Sequence, residues 1–190
     1  MEAKRNYIGQ AWLVILLSLG FGGALAGVQV KLEGRIAANK LAETLGQVPQ
    51  LVPGAEQGEQ RQVAGQIVYR ALAGGQPVGW VIPASGQGFA DRIELLLGVD
   101  PGVTRITGLY ILDQKETPGL GNKIIEAGWR RQFGGKSTTA PLSAKTGGGA
   151  SGNQIDAVTG ATISSVSVCD IINANLAQMR PILTAASGGE

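Results

Sequence analysis

The sequence contains no histidine. Ser-His-Asp catalysis, histidine-ligated metal centres and histidine-ligated haem are therefore excluded within this chain. There is one cysteine, Cys169. A single thiol makes no internal disulfide and holds no iron–sulfur cluster alone. Cys169 lies in an apolar run and reads as a small buried hydrophobe. Charge is also sparse. Lys plus Arg total 16 and Asp plus Glu 14, for a formal charge of +2. The basic footprint of a nucleic-acid-binding protein is missing. No catalytic set and no metal site emerge, so any redox chemistry must come from a bound organic cofactor.

Apolar residues and glycine are plentiful. The 44% apolar content argues against a disordered chain, and 30 glycines point to many turns and close backbone approaches. A length of 190 residues suits one modest domain with appendages.

No charge occurs between Arg5 and Lys31. "YIGQAWLVILLSLGFGGALAG", Tyr7 to Gly27, lies inside that gap. About 20 apolar residues in a helix cross a ~30 Å hydrocarbon core. We read residues 8–30 as a transmembrane anchor. The alternative is a cleaved signal peptide, with Ala24-Leu25-Ala26 as the cleavage-like site; the apolar stretch is longer than a usual signal core. Lys4 and Arg5 place residues 1–7 in the cytoplasm by the positive-inside rule, and the remainder across the membrane. Residues 31–62 read as a juxtamembrane helix and linker, with "VPQLVPGAEQGEQ" a loop. Residues 63–184 form the extracytoplasmic domain, and residues 185–190 a flexible tail.

Within the domain, strands are expected at Gln66–Leu72, Pro77–Ala84, Asp91–Asp100 and Arg105–Leu112. Gly74-Gly75 and "DPGV" supply turns between them. Asn122–Phe133 reads as a helix, then a long polar loop, then a strong amphipathic helix from Ile163 to about Leu183. The fold class is α+β: an antiparallel β-sheet with packed helices, behind one N-terminal transmembrane helix.

Two stretches can carry chemistry. In "QIDAVTGATISS", Asp156 precedes a small-residue turn, and Thr162 or Ser164 is placed to cap the last helix. Unpaired amides at a helix N-terminus bind phosphate, while Gly160 and Ala161 leave room for a large group. Plain capping is the bland alternative. In "KETPGLGNKI", Pro118, Gly119 and Gly121 make a tight loop that can present backbone amides to a planar ring. Its bland alternative is an ordinary strand-to-helix turn with Glu116 solvated.

Together these stretches resemble the G subunit of the Rnf electron-transport complex and, more distantly, the C subunit of the sodium-pumping NADH:quinone oxidoreductase. "GQGFADRIELLLGVDPG", "ETPGLGNKI", "WRRQF" and "QIDAVTGATISS" carry the likeness, beside the single anchor. The resemblance implies an FMN-binding domain with FMN joined covalently, through its phosphate, to Thr162. It implies a separate flavin transferase that takes FMN from FAD with a divalent metal. Asp156 then begins the pattern that enzyme reads, and Thr159 stands where the family has Ser or Thr. Ser164 and Ser165 are chemically possible acceptors that the motif disfavours. Glu116, Thr117, Pro118, Gly119, Leu120 and Gly121 are further cofactor-binding residues in this resemblance, with the backbone of Thr117 to Gly121 lining one side of the ring.

The implied role is an electron relay in an ion-translocating oxidoreductase of the inner membrane, with no independent catalysis. The partners are other membrane and redox subunits, the transferase during maturation, and membrane lipid, with no nucleic acid. Two rivals stay open: the sodium-pumping C-type subunit, and a non-redox anchored binding module whose "TGAT" is only a cap.

Overall fold

The structure is a computed structural model that describes residues 7–187. The chain divides into two compact units, Met1–Glu43 and Thr44–Glu190. Lys4 and Arg5, on which the expected orientation rests, lie outside the described residues, as does most of the expected cytoplasmic segment 1–7.

Helix α1 runs from Tyr7 to Leu51. Its portion in the first unit carries a row of exposed apolar side chains, from Trp12 at 60% to Val30 at 72%. The span Ala11–Leu51 contains an 18-residue window of mean hydropathy 2.0, none of it buried. It is long and apolar enough to cross a membrane.

The second unit is built on a five-stranded antiparallel meander in the order β1-β2-β3-β4-β5. The strands are β1 Gln57–Val63, β2 Gln66–Ala73, β3 Gln76–Gln87, β4 Arg92–Val99 and β5 Ile106–Asp113. Helix α2 is a single turn, Ala127–Arg130, between two 3₁₀ turns at Gly121–Ile125 and Arg131–Phe133. Short strands β6 Ser143–Lys145 and β7 Gln154–Asp156 pair in parallel. Helix α3, Thr162–Ser187, closes the fold.

Strand β4 explains the layering. In "RIELLLGV", Leu95 and Leu97 belong to one core and Leu96 to another, as alternation along a strand requires. The run reads as continuously apolar because both faces of the sheet are covered. Ile93, Leu95, Leu97 and Ile82 face the main core, shared with Val168, Ile172, Leu176 and Leu183 of α3. On the opposite face, Leu96, Val81, Ala71 and Tyr69 meet Val48 and Leu51 at the end of α1 and Val52 just beyond it. The helix end approaches so closely that a Cβ at Gly98 would lie 2.5 Å from the Leu51 carbonyl oxygen. That oxygen is held by the Thr107 hydroxyl, which donates to it over 2.6 Å.

Four expected strands are present, and the expected α+β class is the observed one. Other expectations are corrected. The segment 48–60 is a loop only at residues 52–56: α1 continues to Leu51, and β1 begins at Gln57. The polar edge strand β1 is exposed along most of its length, so "QGEQRQV" shows no apolar alternation to detect. Asn122–Phe133 is not one helix. Glu126 is extended, with φ −64° and ψ 131°. That break lets Ile124, Trp129 and Phe133 all reach the same core. The polar loop after Phe133 contains β6. Residues 185–187 of the expected tail remain helical, and the rest of it lies outside the described residues.

Two outcomes follow. Gly98→Ala should cost about 1–3 kcal/mol by overpacking against backbone that cannot yield, measured by denaturant unfolding. Cys169 is 1% exposed. Burial, helped by the nearby Asp170 charge, pushes its thiol up to about 12. Folded protein should therefore resist alkylation at pH 8 and react only in denaturant.

Candidate functional site

The two motif segments each form a tight turn. Leu120 donates its amide to the Thr117 carbonyl over 3.2 Å, with Pro118 second and Gly119 third in the turn. Ala161 donates to the Val158 carbonyl over 2.9 Å, with Thr159 second and Gly160 third. Gly119 has φ +77° and Gly160 φ +80°. That is the φ pattern of a type II turn, which needs glycine at its third position. The turns abut: a Cβ at Gly160 would sit 3.0 Å from Leu120 Cδ2.

Between them opens a cavity of about 540 Å³ lined by Phe89, Thr117, Leu120, Gly121, Gly160, Ala161, Thr162, Ile163 and Ser164. Its size falls in the roughly 300–1,000 Å³ range of cofactor sites. Phe89, Leu120 and Ile163 are 58%, 44% and 58% exposed, large apolar side chains facing open space. Thr162 is the first residue of α3 and is exposed. Its hydroxyl makes no side-chain hydrogen bond among the described residues. The leading amides of a helix have no intrahelical acceptor and carry the positive end of its dipole. Apolar walls beside a helix N-terminus fit a flat ring with a phosphate tail, which is the shape of FMN.

The two serine hydroxyls that follow Thr162 are already committed. Ser165 is fully buried; its Oγ accepts from the Val158 amide at 2.9 Å and donates to the Ala161 carbonyl at 3.1 Å. Ser164 is 2% exposed and donates to Glu116 Oε2 over 2.5 Å. The expected capping by Thr162 or Ser164 is therefore corrected. Thr162 stands inside the helix, the residue before it is Ala161, and Ser165 ties the turn from below. Glu116 is likewise not solvated. It is 3% exposed, and its Oε1 accepts from the Ala90 amide at 3.1 Å.

Of the expected site residues, the cavity gathers Thr117, Leu120, Gly121, Gly160, Ala161, Thr162 and Ser164. Pro118, Gly119 and Thr159 are exposed on the turns outside its lining. Glu116 and Ser165 stand behind the wall. Asp156 lies on β7, where Trp129 Nε1 and Gln132 Nε2 donate to its carbonyl and its own amide donates to Gln132 Oε1. Its carboxylate accepts from the Ala150 amide at 2.7 Å. "WRRQF" is thus the clamp that holds the strand leading into the Thr162 turn.

Phe89 and Ile163 were not anticipated as site residues. Phe89 occupies the tip of the β3–β4 hairpin, where Gly88 donates its amide to the Asp91 carbonyl over 2.8 Å. A large aromatic between Gly88 and Ala90, outside any apolar alternation, was the available signal.

The FMN-binding domain family matches residues 88–177, from the hairpin tip into α3. The G subunit of the ion-translocating oxidoreductase complex of Pseudomonas aeruginosa is 31% identical over 178 residues, covering 85% of this chain and 83% of that protein. The corresponding G subunit of Pseudoalteromonas atlantica is 36% identical over 110 residues, 56% of this chain and 51% of that one. The chain spans about half the length of several curated relatives it matches. Among solved structures, NqrC of Shewanella oneidensis has the same fold, with a TM-score of 0.60 at 19% identity over 74% of this chain and 73% of that one.

The two loop glycines should respond differently to alanine. At Gly119 nothing lies within 4 Å of a new Cβ, so the cost is the left-handed backbone, about 1–2 kcal/mol. At Gly121 the Cβ would meet Ser164 Oγ at 2.8 Å and Glu116 Cβ at 2.9 Å. Gly121→Ala should cost about 1–3 kcal/mol and also disturb the cavity wall. Denaturant unfolding with tryptophan fluorescence separates the two.

Proposed function

Because this chain belongs to the family of G subunits of ion-translocating oxidoreductase complexes, we propose that it is a membrane-anchored electron-relay subunit carrying FMN as a phosphoester on Thr162. The observation that carries this reading is the state of the hydroxyls. Thr162 is exposed at the cavity mouth, whereas Ser164 and Ser165 are buried and engaged.

FMN, when bound, supplies reversible electron transfer. The chain's residues attach and orient it. Thr162 Oγ would hold the group through an oxygen–phosphorus bond, made as AMP leaves FAD and the hydroxyl proton passes to solvent. The leading amides of α3 stabilise the phosphate charge. Leu120, Ile163 and Phe89 offer the ring apolar contact. A tether removes the dissociation equilibrium, so the relay keeps its carrier through repeated cycles. Asp156 and Thr159, outside the cavity lining, are assigned to recognition by the flavin transferase.

In this reading, residues 8–30 hold the chain in the membrane lipid of the inner membrane. Residues 31–62 connect them to the flavin domain of 63–184. Lys4 and Arg5 keep the N-terminus cytoplasmic and Thr162 outside. The partners are the other membrane and redox subunits of an Rnf-type complex. A second reading, the C-type subunit of a sodium-pumping NADH:quinone oxidoreductase, draws on relatives with that printed name, one of them 35% identical over 97 residues.

The test is made on the full-length chain co-expressed with a flavin transferase. Mass spectrometry of the peptide spanning Asp156 to Ser165 should show one FMN, less water, on Thr162. Thr162→Ala should abolish in-gel flavin fluorescence while leaving thermal unfolding within a few degrees. Flavin on Ser164 instead would overturn the attachment site. No covalent flavin at all would leave the anchored binding module.

A further inference from the structure

Among the described residues, Glu116 is the one buried carboxyl group. No cation pairs with it among those residues; the adjacent Lys115 pairs instead with Asp91 at 3.5 Å. Burying a charge without a counter-ion is costly, yet the fold is shaped around this one. Gly88 and Gly121 flank it, and a Cβ at Gly121 would lie 3.0 Å from its Oε2, while a Cβ at Gly88 would collide with its Oε1. No side chain larger than hydrogen fits at either position without moving the carboxylate.

Its partners are the parts of the cavity. Oε1 receives the Ala90 amide at the hairpin tip that carries Phe89. Oε2 receives the Ser164 hydroxyl from the first turn of α3. Its own backbone leads into the turn that carries Leu120, and its amide donates to Gln114 Oε1 over 2.6 Å. Ser164 and Gly121 both line the cavity, so the carboxylate stands directly behind the wall.

We propose that Glu116 is the positioning and potential-setting residue of the cofactor cavity: it holds the Phe89 tip and the Thr162 helix start in register, and its field lowers the reduction potential of the flavin in front of it. This rests on the reading that FMN occupies the cavity. A flavin gains negative charge, or a compensating solvent proton, when it takes up electrons. A fixed negative charge nearby, poorly screened by water, opposes that gain. Glu116 itself takes up no electron.

The charge on Glu116 gives the inference its test. Glu116→Gln keeps an acceptor for Ala90 and a polar partner for Ser164 but removes the charge. Glu116→Asp keeps the charge and shortens the reach to both partners. With full-length, flavin-loaded protein, spectroelectrochemical titration should show the midpoint potential rising in Glu116→Gln and staying closer to the starting value in Glu116→Asp. A potential that does not rise in Glu116→Gln, or that rises as far in Glu116→Asp, overturns the proposal, because loosened packing is greater with the shortened side chain whereas loss of charge is confined to the glutamine. Should Glu116→Gln fail to fold, Ser164→Ala, which keeps the charge, decides alone: a potential near the starting value supports the proposal, and a large shift in either direction rejects it. Absence of flavin from the unsubstituted chain is a separate result. It removes the FMN reading itself before any variant is compared.

Discussion

The hydrogen bond from Ser164 to Glu116 joins two segments 48 residues apart. It is made out of water, where a charge-assisted bond is strong and an unpaired carboxylate expensive. Everything that defines the cavity is referred to it. The proline-glycine turn begins beside Glu116, helix α3 begins beside Ser164, and the Phe89 tip hangs from the second carboxylate oxygen. Glycine at 88 and 121 follows from the volume this bond occupies.

The frame behind the cavity is stiff for a different reason. The sheet is buried on both faces, by α3 on one side and by the end of α1 on the other. Its edge strand β5 is capped by Arg130, which donates to the Leu109 carbonyl over 3.0 Å and stacks its guanidinium on Tyr110 at 5.1 Å. Asp100 closes the β4–β5 hairpin by accepting from the Thr104 and Arg105 amides and the Thr104 hydroxyl. Partial burial alone would raise its carboxyl, but those donors hold it below the usual carboxylate value. The tip therefore stays ionised and hydrogen-bonded at neutral pH, and its contribution fades only as the pH falls through the carboxylate range.

An exposed threonine at the head of a helix is chemically ordinary. Its distinction here is negative as much as positive. The Ser164 and Ser165 hydroxyls are occupied, the flanking turn needs glycine, and the wall opposite is apolar. A group joined to Thr162, as proposed, would have the cavity beside it. Relatives described as parts of ion-translocating complexes supply the context in which such a tethered carrier is useful.

Several features were legible along the chain because they depend on neighbours in sequence. The long uncharged run, the strands from Gln66 to Leu112, their glycine and proline turns, and the last helix all follow from local periodicity and backbone preference. Thr162 and the Pro118–Gly121 turn stood out by motif. The absence of histidine and of a second cysteine limited the chemistry before any fold was known. What tertiary structure decided was the environment of each group. Glu116 looks like a surface residue in "KETPGLG" and is buried, because its partners arrive from Ala90 and Ser164. The segment 122–133 has helical spacing but breaks at Glu126, because three large side chains must reach one core. Strand β1 has no apolar pattern, because pairing with β2 holds it. Phe89 faces the cavity only because a hairpin tip from one part of the chain meets a helix start from another. Burial and hydrogen-bond partnership are properties of contacts made across long stretches of chain, and no local pattern encodes them.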